Sequence, residues 1–276
     1  MSFSAPIRDL ADPRAQRIAD LAKPSHSNTK VALVEDAEPL ANAWRAGVEL
    51  TGVYFEDGRA LPGELARLGE DPAVPVAAVD GALLIRLFRT DKRPKVFGIA
   101  KLPRPAKLEA LAGRTGDIVI LDGVRIVGNI GAIIRTATGL GAAGVVLIDS
   151  GLTSVADRRL LRASRGYVFS LPVVLAQAVE VRQFAQAHQI GLTVLDSTGA
   201  GSLEDLRRQP GRRALVFGGE RAGPSEWFLG GPGAGSQPVS IPMPGPVESL
   251  NVSVAVAIVL HARLVGRGAA AGPDCR

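Results

Sequence analysis

Three short segments of this 276-residue chain collect side chains able to hold a hydroxyl or stabilise an oxyanion, and each follows an apolar, β-branched run. The first is Asn129-x-Gly131-x-x-x-Arg135, after the run ending at Leu121. On a helix beginning near Asn129, a good N-cap residue, Gly131 and Arg135 stand four apart on one face and leave a substrate room to reach the guanidinium. Ile130, Ile133, Ile134 and Ala137 then turn to a core; periodicity alone favours the plainer reading of a cap and a solvated arginine. The second is Gly218-Gly219-Glu220-x-x-Gly223, where glycines let backbone approach a ligand and Glu220 offers a carboxylate; an ordinary glycine turn fits as well. The third is Ile241-Pro242-Met243-Pro244-Gly245-Pro246, a stiff loop, running into Glu248-Ser249-Leu250-Asn251-Val252-Ser253 and an apolar helix through Leu260. Capping by Ser249 or a neighbour explains one polar residue at that helix start, but hardly Glu248, Ser249 and Asn251 together.

The elements that would position these segments alternate strand and helix. Apolar runs at Ile118 to Leu121, Val145 to Ile148, Leu192 to Leu195, Ala214 to Phe217 and Val239 to Ile241 suit strands covered on both faces, hence a mostly parallel sheet. Ligands of such sheets bind beyond the carboxyl ends of the strands, where all three segments lie. The first half is a smaller α/β unit. It has helical stretches from Asp12-Pro13 to Leu21 and from Asp36 to Ala46, the second capped by Gly47, and strands at Leu50 to Phe55 and Val74 to Val79. Arg86 to Lys107, basic and Pro-rich, reads as a linker, with the boundary near residue 105.

Composition removes several classes of function. A lone Cys275 allows no intrachain disulfide or Cys-rich zinc site, and His26, His188 and His261 lie far apart, so no metal is expected. No apolar run approaches the roughly 18 to 20 residues of a membrane span, and the amino-terminal sequence lacks a signal-peptide apolar region, so a cytoplasmic protein is expected. Gly139, Gly141 and Gly144 spell G-x-G-x-x-G but follow a helical stretch and precede a strand, the reverse of the dinucleotide-binding order. No P-loop pattern occurs. The formal charge of +5 makes a polyanion such as nucleic acid a candidate partner, while the 4% aromatic content argues against a base-stacking platform.

In order and spacing the three segments look like the three motifs of the SpoU-type ribose methyltransferases of the SPOUT superfamily. The first half resembles the L30e-like RNA-binding domain that often precedes that catalytic domain. Over nearly its whole length the chain is similar to the thiostrepton and nosiheptide resistance methyltransferases. That similarity includes Lys23-Pro24-Ser25-His26-Ser27-Asn28, Phe97-Gly98-Ile99-Ala100, and Asp157-Arg158-Arg159-Leu160 to Arg165-Gly166-Tyr167-Val168-Phe169-Ser170. The resemblance implies an L30e-like domain at 1–105 and a SPOUT methyltransferase domain with a trefoil knot at 106–276. It implies a homodimer that transfers a methyl group from S-adenosyl-L-methionine to the 2′-hydroxyl of an adenosine in the GTPase-centre loop of 23S rRNA, conferring thiopeptide resistance. A transfer RNA ribose is the alternative substrate, and a non-catalytic RNA-binding relative the alternative class.

The same resemblance assigns roles. Arg135, Asn129, Glu220, Ser249 and Asn251 would form the catalytic group, and Leu195, Gly218, Ile241 and Leu250 would line the cofactor pocket. A guanidinium keeps its proton in proteins, so Arg135 suits stabilisation of a developing alkoxide better than proton abstraction. Lys92, Arg93 and Lys95, with Arg162 and Arg165 on a basic face at helical spacing, would contact RNA; a solvated face is the plain alternative.

Overall fold

The run Ile-Val-Ile-Leu-Asp at 118–122 is buried at every position, as an apolar strand covered on both faces must be. It is one strand of a computed structural model that describes residues 3–23, 30–89, 93–219, 222–230 and 238–270. The chain folds into two compact units: 1–104 with 156–170, and 105–155 with 171–276.

The first unit contains β1 (Phe3–Ile7), α1 (Pro13–Ala22), β2 (Val31–Glu35), α2 (Ala37–Arg45), β3 (Leu50–Glu56), α3 (Ala66–Glu70), β4 (Val76–Val79), α4 (Gly81–Phe88) and β5 (Val96–Lys101). Its sheet runs β1-β4-β3-β5-β2, with β5 antiparallel to both neighbours. Phe97, at the heart of this core, stacks on Tyr54 at 5.4 Å between ring centroids and meets Phe88 edge-on at 5.1 Å. The basic stretch expected to be a linker therefore carries a helix end and an internal strand. Its prolines and cations sit at the ends of β5, while the apolar Val-Phe-Gly-Ile-Ala run forms the strand.

The 156–170 segment, which carries α6 (Arg158–Ala163), belongs to this first unit. A single boundary near 105 thus misses a return of the chain. Arg158 pairs with the buried carboxylate of Glu35, Arg162 lies 3.6 Å from both Glu35 and Asp36, and Arg165 lies 3.1 Å from Glu38. Asn42 donates to the Arg165 carbonyl at 2.9 Å. Gly166, at φ +78°, lies so close to Pro39 that a β-carbon would come within 2.4 Å of its carbonyl oxygen. The basic face is accordingly paired with acidic groups while its side chains stay largely open to solvent.

The second unit contains β6 (Ile118–Asp122), α5 (Val127–Gly139), β7 (Gly144–Ile148), β8 (Val173–Leu175), α7 (Ala178–Ala187), β9 (Gly191–Leu195), β10 (Gly201–Ser202), α8 (Leu203–Arg208), β11 (Arg213–Gly218), α9 (Glu226–Leu229), β12 (Val239–Ser240) and α10 (Val252–Ala270). Among the described residues its sheet is parallel throughout, in the order β10-β12-β9-β11-β6-β7-β8. The register aligns the carboxyl ends: Phe217 is level with Leu121 and Leu195, and Leu195 with Val239. Gly139 ends α5 and Gly141 turns the chain at φ +68°, so these glycines serve a helix exit, as their order in the sequence requires.

At the opposite end of this sheet Arg263 is wholly buried. Its guanidinium donates to both Asp117 oxygens at 3.0 and 3.3 Å, and to the carbonyls of Leu206, Gln209 and Gly211 at 2.6 to 2.8 Å. Asp117 also accepts the Arg213 backbone N–H at 2.8 Å. Removing one partner strands a buried charge, so Asp117→Ala is expected to destabilise the fold by about 3–5 kcal/mol in urea titration. A loss below about 1 kcal/mol would put this pair in the class of surface bridges.

Candidate active site

Because the strand ends are level, the segments that leave β9, β11 and β12 converge on one side of the sheet. They enclose a pocket of about 440 Å³, within the ordinary range for small-molecule sites. Leu195, Phe217, Val239, Ile241 and Leu250 give it apolar walls, and Gly218, Gly219 and Gly223, beside Pro224, give it a wall of bare backbone.

That backbone wall depends on close packing that excludes side chains. A β-carbon at Gly218 would lie 2.0 Å from the Gly223 carbonyl carbon, and one at Gly219 would lie 2.7 Å from the Gly123 carbonyl oxygen. Gly219 and Gly223 bridge as antiparallel partners, the Gly223 N–H donating to the Gly219 carbonyl at 3.0 Å. Asp122, buried at the end of β6, accepts the Ser225 N–H at 2.7 Å and anchors the far side of the turn. On the β9 side the Asp196 carboxylate accepts from the Thr198 N–H and hydroxyl at 2.8 and 2.6 Å, which fixes the turn that follows Leu195.

The third wall comes from α10. Asn251 caps this helix: its side-chain oxygen accepts the Ser253 N–H at 2.8 Å and the Ser253 hydroxyl at 2.6 Å. Its amide group donates to the Asn129 side-chain oxygen at 3.3 Å, so the first and third polar segments meet directly. Asn129 lies inside α5 rather than at its cap, because that helix starts two residues earlier, at Val127. Its side chain is thereby available to a neighbour instead of closing the helix end.

The structure brings most of the expected catalytic and cofactor residues together. Leu195, Gly218, Ile241, Leu250, Ser249 and Asn251 line one pocket, and Asn129 joins them through Asn251. Arg135 is exposed on α5 and outside the pocket wall. Six residues beyond Asn129, it lies roughly 9 Å further along the helix and about 240° around it. Glu220 and Lys92 lie outside the described residues. Among the expected RNA contacts, Arg93 is 2.7 Å from Glu56 and Lys95 is exposed. Arg162 and Arg165 face the acidic groups of the first unit.

Asp196 and Glu248 also line the pocket and supply its carboxylates among the described residues. Asp196 was legible as the residue directly after the Leu195 strand, yet it carries no motif of its own. Such a pocket can hold a flat heterocycle against aliphatic side chains and bare amides, with carboxylates for hydroxyl or ammonium groups. Among the described residues no three His, Cys, Asp or Glu side chains are placed to hold a metal ion, and no helix is long and apolar enough to cross a membrane.

Known proteins resemble the chain over both of its halves. Residues 4–114 match the family model of the thiostrepton-resistance methylase N terminus, and residues 117–261 that of the SpoU rRNA methylase family. The chain is 49% identical to a 23S rRNA (adenosine(1067)-2′-O)-methyltransferase of Streptomyces azureus, over 94% of this chain and 95% of that protein. It is also 49% identical to its counterpart in Streptomyces laurentii, over 93% and 94%. Among solved structures, the SpoU methyltransferase AviRb of Streptomyces viridochromogenes, in complex with the cofactor AdoMet, is 27% identical with a TM-score of 0.75, covering 93% of this chain and 98% of that one.

The double use of Asn251 leads to a local prediction. Asn251→Ala removes the cap of α10 and the link to Asn129, and should cost about 1 kcal/mol in thermal or urea unfolding. Amide exchange at Ser253, Val254 and Ala255 should quicken; unchanged exchange there would show that the cap is dispensable.

Proposed function

From the premise that the chain belongs to the SpoU rRNA methylase family, with the N-terminal region of the thiostrepton-resistance methylases, we propose that it methylates the 2′-oxygen of an adenosine in the GTPase-centre loop of 23S rRNA. The methyl donor is S-adenosylmethionine, and the modification protects the ribosome from thiopeptide antibiotics such as thiostrepton and nosiheptide. The observation that carries this reading is the pocket itself. Residues of the second and third motifs line its wall, and the Asn251–Asn129 bond ties the first motif to it.

The pocket fits the donor. Its aliphatic walls and unobstructed glycine backbone suit an adenine ring, and Asp196 and Glu248 suit ribose hydroxyls and an ammonium group. Bound there, S-adenosylmethionine supplies a methyl group already activated by the sulfonium charge, so the chain has to contribute position and charge stabilisation. Leu195, Ile241 and Leu250 orient the donor, and Gly218 gives it room. Asn129, Ser249 and Asn251 hold the ribose by hydrogen bonds, and the Glu220 carboxylate accepts its departing proton. Arg135 stabilises the alkoxide that develops as the hydroxyl loses that proton.

The protein acts as a homodimer in the cytoplasm. Support for the dimer comes from α10: Val254, Ile258, His261 and Val265 recur at spacings of four, three and four, and Val254 and Val265 are exposed. A second copy would bring another Arg135 to the assembly. RNA affinity comes from Arg93, Lys95 and Lys92 and from the outer faces of Arg162 and Arg165, whose side chains stay 60% and 49% exposed although they are paired.

Tritium from labelled S-adenosylmethionine should enter an rRNA fragment containing the GTPase-centre loop, at one adenosine 2′-oxygen located by primer extension. Arg135→Ala should lower turnover about 100-fold or more while the donor still binds in calorimetry; full turnover in that variant would remove the residue from the mechanism. In sedimentation equilibrium the chain should behave as a dimer and Val254→Asp should weaken it. A parent chain that is monomeric at micromolar concentration would refute the dimer.

A further inference from the structure

A second pocket, of about 420 Å³, lies in the first unit where β3 ends and β5 begins, far in sequence from any of the three motifs. Phe55, Pro62, Ala60 and Val96 line it with apolar surface, and Arg59 and Lys95 bring two cations to it. A concave apolar surface beside cations matches the two halves of a nucleotide, a base and its phosphate.

The charges around this pocket are unevenly satisfied. Glu56 has both oxygens occupied, one by Arg59 at 2.5 Å and the other by Arg93 at 2.7 Å. These two guanidiniums, Arg59 foremost, hold the Glu56 carboxyl below its usual range, so it remains an anion spent on its own neighbours. Asp57 uses a side-chain oxygen on the Gly58 N–H. Arg59 and Arg93 thus share the one Glu56 carboxylate. Lys95 is exposed and has no ion pair among the described residues.

We infer that this pocket is a docking site for an unpaired nucleotide of the RNA substrate, with the base against Pro62, Ala60 and Phe55 and the phosphate on Lys95 and Arg59. It deepens the proposed function, on which it rests, by giving the first unit a discrete contact instead of a diffuse positive field. The site shares no residue with the donor pocket, so each can be altered without touching the lining of the other.

The test uses the full chain and a 23S rRNA fragment containing the GTPase-centre loop, with affinity followed by fluorescence anisotropy over a range of salt concentrations. Arg59→Ala/Lys95→Ala should weaken binding at least tenfold and reduce the slope of log affinity against log salt by roughly 0.7 to 0.9, the contribution of one neutralised phosphate. Ala60→Trp, at an exposed position, fills the pocket without changing its charge and should also weaken binding several-fold while keeping the salt slope. In both variants S-adenosylmethionine should bind as it does to the parent. If the parent binds and methylates the fragment while both variants match its affinity and slope, the pocket inference is overturned and the proposed function stands. Loss only in the double variant would overturn the base contact. A parent that binds no fragment would overturn both readings.

Discussion

The buried pair between Arg263 and Asp117 is the constraint on which the second unit is organised. Taking both charges out of water is costly, and the cost is met by dense pairing: Arg263 reaches the carboxylate and three backbone carbonyls, and Asp117 also accepts the Arg213 N–H. These bonds join the residue before β6, the start of β11, the end of α8 and the body of α10 at one point. A hydrophobic contact could supply comparable stability, but it would tolerate sliding of α10. The fork of the guanidinium does not, because each of its bonds has a direction. The start of α10 is thereby fixed as well, and with it Asn251.

From that anchor to the pocket the chain uses backbone more than side chain. Gly218 and Gly219 pass within van der Waals distance of neighbouring loops, and Asp122 and Asp196 act on N–H groups that hold turns in place. A pocket built this way is rigid without a bulky frame and presents unblocked amides to a ligand. The chemistry suits such a site. Methyl transfer from an activated donor requires alignment and a home for a transient negative charge, and rigid placement supplies the larger part of both.

Arginine in this protein is often a structural material. Arg212 donates to the carbonyls of Leu111, Ala112 and Arg114, and Arg213 to Thr193 and Leu192, and burial pushes both guanidiniums below their usual range. Arg158 lies over the Phe88 ring and binds Glu35. Arg159 holds the Asp157 carboxyl below its usual range. The net charge of +5 therefore overstates neither attraction nor repulsion but mislocates it: several of the cations that produce it never face a partner.

The sequence by itself determined the parallel sheet, since its strands are continuous apolar runs, and the three strand-end segments, whose order and spacing identify the family. It determined that Gly139 and Gly141 serve a helix exit and that Gly144 opens a strand, because their place relative to strand and helix is a local property. Tertiary structure decided the rest. Whether Asn129 caps a helix or reaches Asn251 depends on where α5 begins, and the N-cap preference, which points three residues beyond the observed cap at Ile126, is weak beside packing. The basic stretch at 86–107 hid β5 because its charges lie at the strand ends, and only pairing with β2 and β3 reveals the strand. The return of 156–170 to the first unit and the union of Asp117 with Arg263, 146 residues away, leave no periodic trace. Contacts between distant segments are selected by shape and charge in the folded state, and no local pattern in the chain encodes them.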